Sequence, residues 1–162
     1  MEKEYNLGYL CKLKDWIPKH LIEWTALSLN PNAVRLLEQN QTKIDLYNLL
    51  FNPNGMYLIE KNLYKINKSI HEKMYWIVLS KNLNAINILE NNLDKINWNG
   101  LSENPNAIHL LEKNLDKINW RFLSANPNAI HILEQNIDKI DWDVLSANPN
   151  AIPILEQNLD EI

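Results

Sequence analysis

Apolar residues return along this chain at two helical spacings. In the stretch "NAIHILE", Asn128 to Glu134, the residues Ala129, Ile132 and Leu133 share one side of a helix, with Ile130 close by. A few residues on, Trp142 and Leu145 stand at i, i+3 after Asp141, as the inner face of a second and shorter helix. The linking "IDKI" supplies two more apolar anchors in a turn or a single helical turn. The pattern predicts a helix, a stop, a linking turn, a shorter helix, and then the same again.

The repetition is nearly strict. The Asn that opens each NPNA-like block falls at Asn30, Asn52, Asn82, Asn104, Asn126 and Asn148, at intervals of 22 residues with one of 30. The longer interval contains an eight-residue insertion, "KSIHEKMY", Lys68 to Tyr75. Written from its first aromatic position the unit is W-x-x-L-S-x-N-P-N-A-I-x-L-L-E-x-N-L-D-K-I-[ND], with copies starting at Trp24, Leu46, Trp76, Trp98, Trp120 and Trp142. The predicted organisation is an N-terminal cap over 1–23, then repeats over 24–45, 46–67, 76–97, 98–119, 120–141 and 142–162, with 68–75 inserted. Leu10, Leu13, Trp16 and Ile17 are the expected cap residues covering the first repeat. Each predicted helix is shorter than the ~12–15 residues at which an isolated helix becomes marginal, so each repeat must bury its apolar face on its neighbour.

The punctuation carries its own expectations. Asn followed by Pro is a strong helix start, because Asn caps free N–H groups and Pro suits the first helical position. The second Asn column (Asn40, Asn62, Asn92, Asn114, Asn136, Asn158) is expected to stop the helix in a left-handed conformation. Pro153 falls inside the last repeat's helix and is expected to kink or fray it. The predicted fold is an all-α solenoid of six helix-pair repeats. The alternative is a leucine-rich-repeat-like α/β solenoid, since "LDKINW" followed by "LSxN" echoes that pattern. The Asn-Pro start and "AIxLLE" leave few residues for a strand.

The unit "LSxNPNAIxLLExNLDKI[ND]W", with the lead-in "LKDWIPKHLIEW" (Leu13 to Trp24), resembles a family of short Asn-rich repeat proteins encoded by giant DNA viruses. The likeness covers Leu13 to Ile162. It implies a viral origin and a repeat-scaffold role, with no activity carried over. Leu46 and Leu50 replace Trp and Ser in the second repeat, Gly55 replaces Ala, and Leu83 replaces Pro in the third. These departures flank the insertion, so stacking is expected to be irregular there.

Composition narrows the function. With 46% hydrophobic residues the chain can bury a core. Its formal net charge of −4 lacks the basic footprint of a nucleic-acid binder. Charge is uneven: the last repeat has Asp143, Glu156, Asp160 and Glu161 with no Lys or Arg, which suits a solvent-facing cap, while Lys61, Lys65, Lys68 and Lys73 gather near the insertion. The lone Cys11 cannot form an internal disulfide and fits a reducing compartment. The opening "MEKEYNLGYLCKLKDW" has no apolar signal segment, and no apolar run approaches the ~20 residues of a membrane span. The expected location is intracellular, in host cytoplasm or virion.

Candidate chemistry is sparse. His109 and His131 share a repeat position, but a metal usually takes four ligands and no Cys or further His joins them. The "LS" serine recurs at Ser28, Ser80, Ser102, Ser124 and Ser146, whereas a nucleophile is needed once, beside a base. The Asn columns read as caps and as backbone ladders that satisfy buried groups between units, and the Trp column, without basic residues around it, reads as core packing. No cofactor or metal is expected, and no enzyme.

Positions that vary between copies are those the fold leaves free. The position after the Trp reads Thr25, Tyr47, Ile77, Asn99, Arg121, Asp143, and four residues on it reads Leu29, Phe51, Lys81, Glu103, Ala125, Ala147. These lie one above the other on one helical face. A second variable stripe runs through Arg35, Tyr57, Asn87, His109, His131 and Pro153. Partners of solenoids use such continuous exposed faces. Aromatic anchors favour the region around Tyr47, Phe51 and Tyr57, beside Ile70, His71, Met74 and Tyr75 of the insertion, with Ile77, Lys81 and Arg121 along the same stripe. The expected function is a non-catalytic scaffold binding a host or viral protein. The alternative is a structural, self-assembling virion component. Neither nucleic acid nor membrane is an expected partner.

Overall fold

The computed structural model describes residues 18–161. Among them there is no strand, and the architecture is the all-α stack of helix-pair repeats that the periodicity predicts. The α/β alternative is not what the chain forms. The expected cap residues Leu10, Leu13, Trp16 and Ile17 lie outside the described residues. The chain forms two compact units, Met1–Tyr75 and Trp76–Ile162.

Unit one carries α1 (Trp24–Leu29), α2 (Val34–Gln39), α3 (Leu46–Leu49), α4 (Met56–Lys61) and α5 (Leu63–Ile66). The next helix, α6 (Glu72–Lys81), begins in the insertion and runs on into the third repeat. Unit two continues with α7 (Ile86–Glu90), α8 (Trp98–Glu103), α9 (Ile108–Glu112), α10 (Trp120–Ser124), α11 (Ile130–Glu134), α12 (Trp142–Leu145) and α13 (Ile152–Gln157). The insertion is therefore a loop followed by added helix: α6 has ten residues, where the corresponding helices have four to six.

Four of these helices, α3, α8, α10 and α12, open on the Asn or Asp before the Trp position. The side chain of Asn97 accepts the Gly100 N–H at 2.8 Å, and those of Asp45, Asn119 and Asp141 do the same three residues on. The Asn-Pro sites behave differently from the expectation. Asn104 does not open α9. Its side chain accepts the Asn106 N–H and its carbonyl the Ala107 N–H, closing a tight turn, and the helix starts at Ile108. The second Asn column also departs from expectation. Its backbone is not left-handed: φ lies between −110 and −142. Instead the Asn114 side-chain amide turns back and donates to the Leu110 carbonyl at 2.8 Å, and all six members repeat this bond. The side chain satisfies a free end carbonyl, so no left-handed residue is required. Pro153 does not kink α13, because the helix starts at Ile152 and the ring falls in its first turn, where no intrahelical N–H is needed.

The core is a set of columns. Leu49, Leu79, Leu101, Leu123 and Leu145 are fully buried from the short helices, and Leu37, Ile59, Leu89, Leu111 and Leu133 from the longer ones. In the linking turns one anchor is buried and the other is not. Ile96, Ile118 and Ile140 go inward, while Leu93, Leu115 and Ile137 stay exposed.

Within each unit, polar side chains tie one repeat to the one before it. The Ser102 hydroxyl donates to the Trp98 carbonyl at 2.8 Å and accepts at 3.0 Å the N–H of Asn119, the cap that leads into the next repeat. Ser28 does this for Asp45, Ser80 for Asn97 and Ser124 for Asp141. The buried Asn104 side chain donates to the Ser80 and Asn82 carbonyls of the preceding repeat, both at 3.1 Å. Asn52 and Asn148 make the same pair of bonds, and Asn126 makes the serine one. A third rung runs from Asn106 to the Leu83 carbonyl, as from Asn128 to Pro105. Because that rung uses a carbonyl, Leu83 serves it as well as Pro does. The one position lacking a hydroxyl is Leu50, which is buried instead. Every buried side-chain nitrogen or oxygen among the described residues has a partner.

Candidate interaction surface

With the serines and both Asn columns spent on the ladder, the variable positions are left on the outside. Thr25, Tyr47, Asn99, Arg121 and Asp143 are exposed; Ile77 is half-buried. Most of the outer charges in these stripes pair between neighbouring repeats. Lys61 Nζ meets Glu38 at 2.8 Å, Lys81 Nζ meets Glu103 at 2.7 Å, and Arg121 meets Asp141 at 2.8 Å. The imidazoles of His109 and His131 lie on Glu90 and Glu112 of the preceding repeat, at 2.6 and 2.7 Å. Such exposed pairs contribute about 0–1 kcal/mol each. Among the described residues no group of three or more His, Cys, Asp or Glu is placed to hold a metal. No described helix is long and apolar enough to cross a membrane.

The Trp column is less buried than expected. Trp76 is in the core, but Trp24, Trp98, Trp120 and Trp142 are half-buried. Basic residues do surround it. Lys117 Nζ lies 4.9 Å from the Trp98 ring centroid, and Lys139 Nζ lies 4.7 Å from that of Trp120. Each lysine comes from the linking turn at the end of the same repeat, 19 positions on. Where Leu46 replaces Trp, Lys65 holds the equivalent place and lies over Tyr64 at 5.7 Å.

The sequence-selected residues separate into groups. Tyr47, Phe51 and Tyr75 come together: Tyr47 and Phe51 pack edge to face at 5.5 Å with an interplanar angle of 71°, and Tyr47 and Tyr75 at 6.2 Å and 77°. Tyr47 and Phe51 are exposed. Tyr75 is half-buried, and burial followed by the nearby Asp45 charge pushes its phenol up. Tyr75 reaches this place because the insertion adds helix ahead of Trp76. His71, whose carbonyl accepts the Tyr75 N–H, stands one turn earlier, just before α6. Met74 is exposed, and Ile70, at 94% exposure, stands almost wholly in solvent in the loop before α6.

Tyr57 is engaged elsewhere. Lys61 lies over its ring at 5.2 Å, and its phenol is pushed up to about 12 by burial and by the charge and hydrogen bond of Glu38. Glu38 in turn is held below its ordinary value, chiefly by its hydrogen bond from Lys61. Ile77, Lys81 and Arg121 belong to unit two. Asp45 escaped the sequence reading of the surface. It was legible as a helix cap, and its place beside Tyr75 depends on where the insertion's added helix lands.

No protein-family model, no curated protein and no solved structure matches this chain.

Proposed function

We propose that the chain is a non-catalytic repeat scaffold that binds a host or viral protein through the variable outer positions of unit one. The observation that carries this reading is the aromatic group of Tyr47, Phe51 and Tyr75. Three aromatic rings meet at outer positions of one repeat and the insertion, where no other repeat places an aromatic residue at the Tyr47 or Phe51 position. Aromatic side chains are favoured as binding anchors because they offer large, stiff contact areas. The ladder supports the non-catalytic part, since the recurring Ser and Asn side chains have their hydrogen-bonding capacity engaged by backbone. Viral origin rests on the resemblance of the repeat unit.

The test is affinity capture from lysates of infected and uninfected cells, comparing the native chain with a Tyr47→Ala, Phe51→Ala, Tyr75→Ala variant shown to be folded by circular dichroism. A partner held by the native chain and lost by the variant is the expected result. Identical retention by both would overturn the assignment of this face. Self-association as the sole interaction would move the reading to an assembling component.

A further inference from the structure

We propose that the surface formed by Tyr47, Phe51, Tyr75 and Asp45 is a socket for a cationic side chain, lysine or arginine, projecting from the protein partner. The inference rests on the reading that this face binds protein, and it names the chemistry recognised.

Three observations converge. The first is the geometry of the rings. Tyr47 stands nearly perpendicular to both neighbours at centroid separations of 5.5 and 6.2 Å, so the group presents ring surfaces in more than one direction. A cation within about 6 Å of such a surface is drawn to its negative face.

The second is a contact that recurs at aromatic rings elsewhere in the chain. Tyr57, Tyr64, Trp98 and Trp120 each have a lysine of the same chain above the ring, at 4.7 to 5.7 Å. Among the described residues, no such cation covers Tyr47, Phe51 or Tyr75. With Leu46 in the tryptophan place, Lys65 lies over Tyr64 instead.

The third is Asp45. Its Oδ1 accepts the Asn48 N–H, as a cap should. At the equivalent cap before α12, Asp141 has its Oδ2 on Arg121, which stands 20 positions earlier at the outer position of the short helix stacked before it. The same place before Asp45 is held by Thr25, which carries no charge. Asp45 stands at the start of α3, two residues before Tyr47, and its charge is the second cause, after burial, of the rise of the Tyr75 phenol. Unit two thus shows what the cap carboxylate takes when a guanidinium is within reach. In unit one the guanidinium or ammonium must come from outside.

Other charges near the group bear on the choice. His71 lies just before α6, one turn from Tyr75, and Lys68 and Lys73 belong to the same insertion; they make no ion pair among the described residues. Lys73 is two positions from Tyr75 and so points to the other side of α6. The carboxylate at the rings is the charge that a ligand there would meet.

The test uses the full chain, titrated with blocked single amino acids and followed by two-dimensional NMR. The probes are N-acetyl-lysine amide, N-acetyl-arginine amide and the neutral N-acetyl-norleucine amide. Expected are shifts confined to Tyr47, Phe51, Tyr75 and Asp45, with lysine and arginine probes binding about three- to tenfold more tightly than norleucine. Asp45→Asn should abolish most of that preference while leaving norleucine unchanged. This variant keeps the helix cap, since Asn97 and Asn119 hold the same place in other repeats. Tyr47→Leu should weaken both cationic probes and leave the fold intact. Equal affinity for lysine and norleucine would overturn the cationic socket while leaving a binding face in place. No shift at these residues up to tens of millimolar would overturn it outright, and the scaffold reading would then rest on the capture experiment alone.

Discussion

Asn104→Asp is expected to destabilise unit two by about 3–5 kcal/mol at neutral pH, enough to leave much of it unfolded at 37 °C. Asn104 is buried, and its amide donates to the Ser80 and Asn82 carbonyls while its oxygen accepts the Asn106 N–H. A carboxylate keeps the acceptor and loses both donors, and it sets a negative oxygen against two carbonyl oxygens. Burial and those carbonyls would raise the pKa of the introduced acid above its unfolded value of about 3.9. The sign follows: the protonated acid, which can still donate one bond, is retained at low pH, and stability is lost as pH rises through the raised pKa. The variant should thus be more stable at pH 4, relative to the native chain at that pH, than at pH 8. Asn104→Ala, which leaves the carbonyls unpaired without adding charge, is expected to cost about 2–3 kcal/mol with no such pH dependence. Urea unfolding at the two pH values measures all of this.

Gly55→Ala is the second, because it restores the residue that every other repeat carries and is still expected to destabilise. An added Cβ would stand 2.7 Å from Leu49 Cδ1, 3.0 Å from the Leu49 carbonyl oxygen and 3.1 Å from Asn52 Cβ. Leu49 is fully buried, so it has little room to yield. Backbone conformation is not the obstacle, since Gly55 (φ −88, ψ −9) matches Ala33 (φ −89, ψ −2). Reduced freedom of the unfolded chain would favour Ala by about 0.4–1 kcal/mol. Overpacking costs about 1–3 kcal/mol, and the backbone contact puts this site toward the upper part. The expected net loss is about 1–2 kcal/mol, read as a lower urea midpoint for unit one. A gain in stability would show that Leu49 relaxes freely.

How much of this was legible in the sequence differs from column to column. The 22-residue period, the helix pairs and the inward Leu and Ala columns follow from spacing, because hydrophobic period reports which side of a helix faces the core. The invariant Asn was legible as punctuation. A backbone ladder between repeats was legible too, from its recurrence, but its partners were not: Asn104 reaches back 24 residues to Ser80, and local pattern does not say which carbonyl it meets. The same limit hid Lys117 over Trp98, which made the tryptophans look like pure core. The left-handed stop was the default for Asn, and the amide's own bond to the i−4 carbonyl displaced it. Variable outer positions were readable by comparing copies, and Tyr47 and Phe51 were found that way. Their meeting with Tyr75 depends on added helix in the insertion, which eight irregular residues do not announce.

The central claim is that the ladder and core columns make the fold and the outer positions are free for binding. The most direct test is a saturation scan of the whole chain scored by resistance to proteolysis. The account expects intolerance to recur every 22 residues at the buried Leu, Ala, Ser and Asn columns, with Tyr47, Phe51 and Asp45→Asn tolerated. If polar substitutions at Tyr47 and Phe51 prove as damaging as those at Leu49 or Leu101, the aromatic group belongs to the fold, and the claim that it is a binding surface is contradicted.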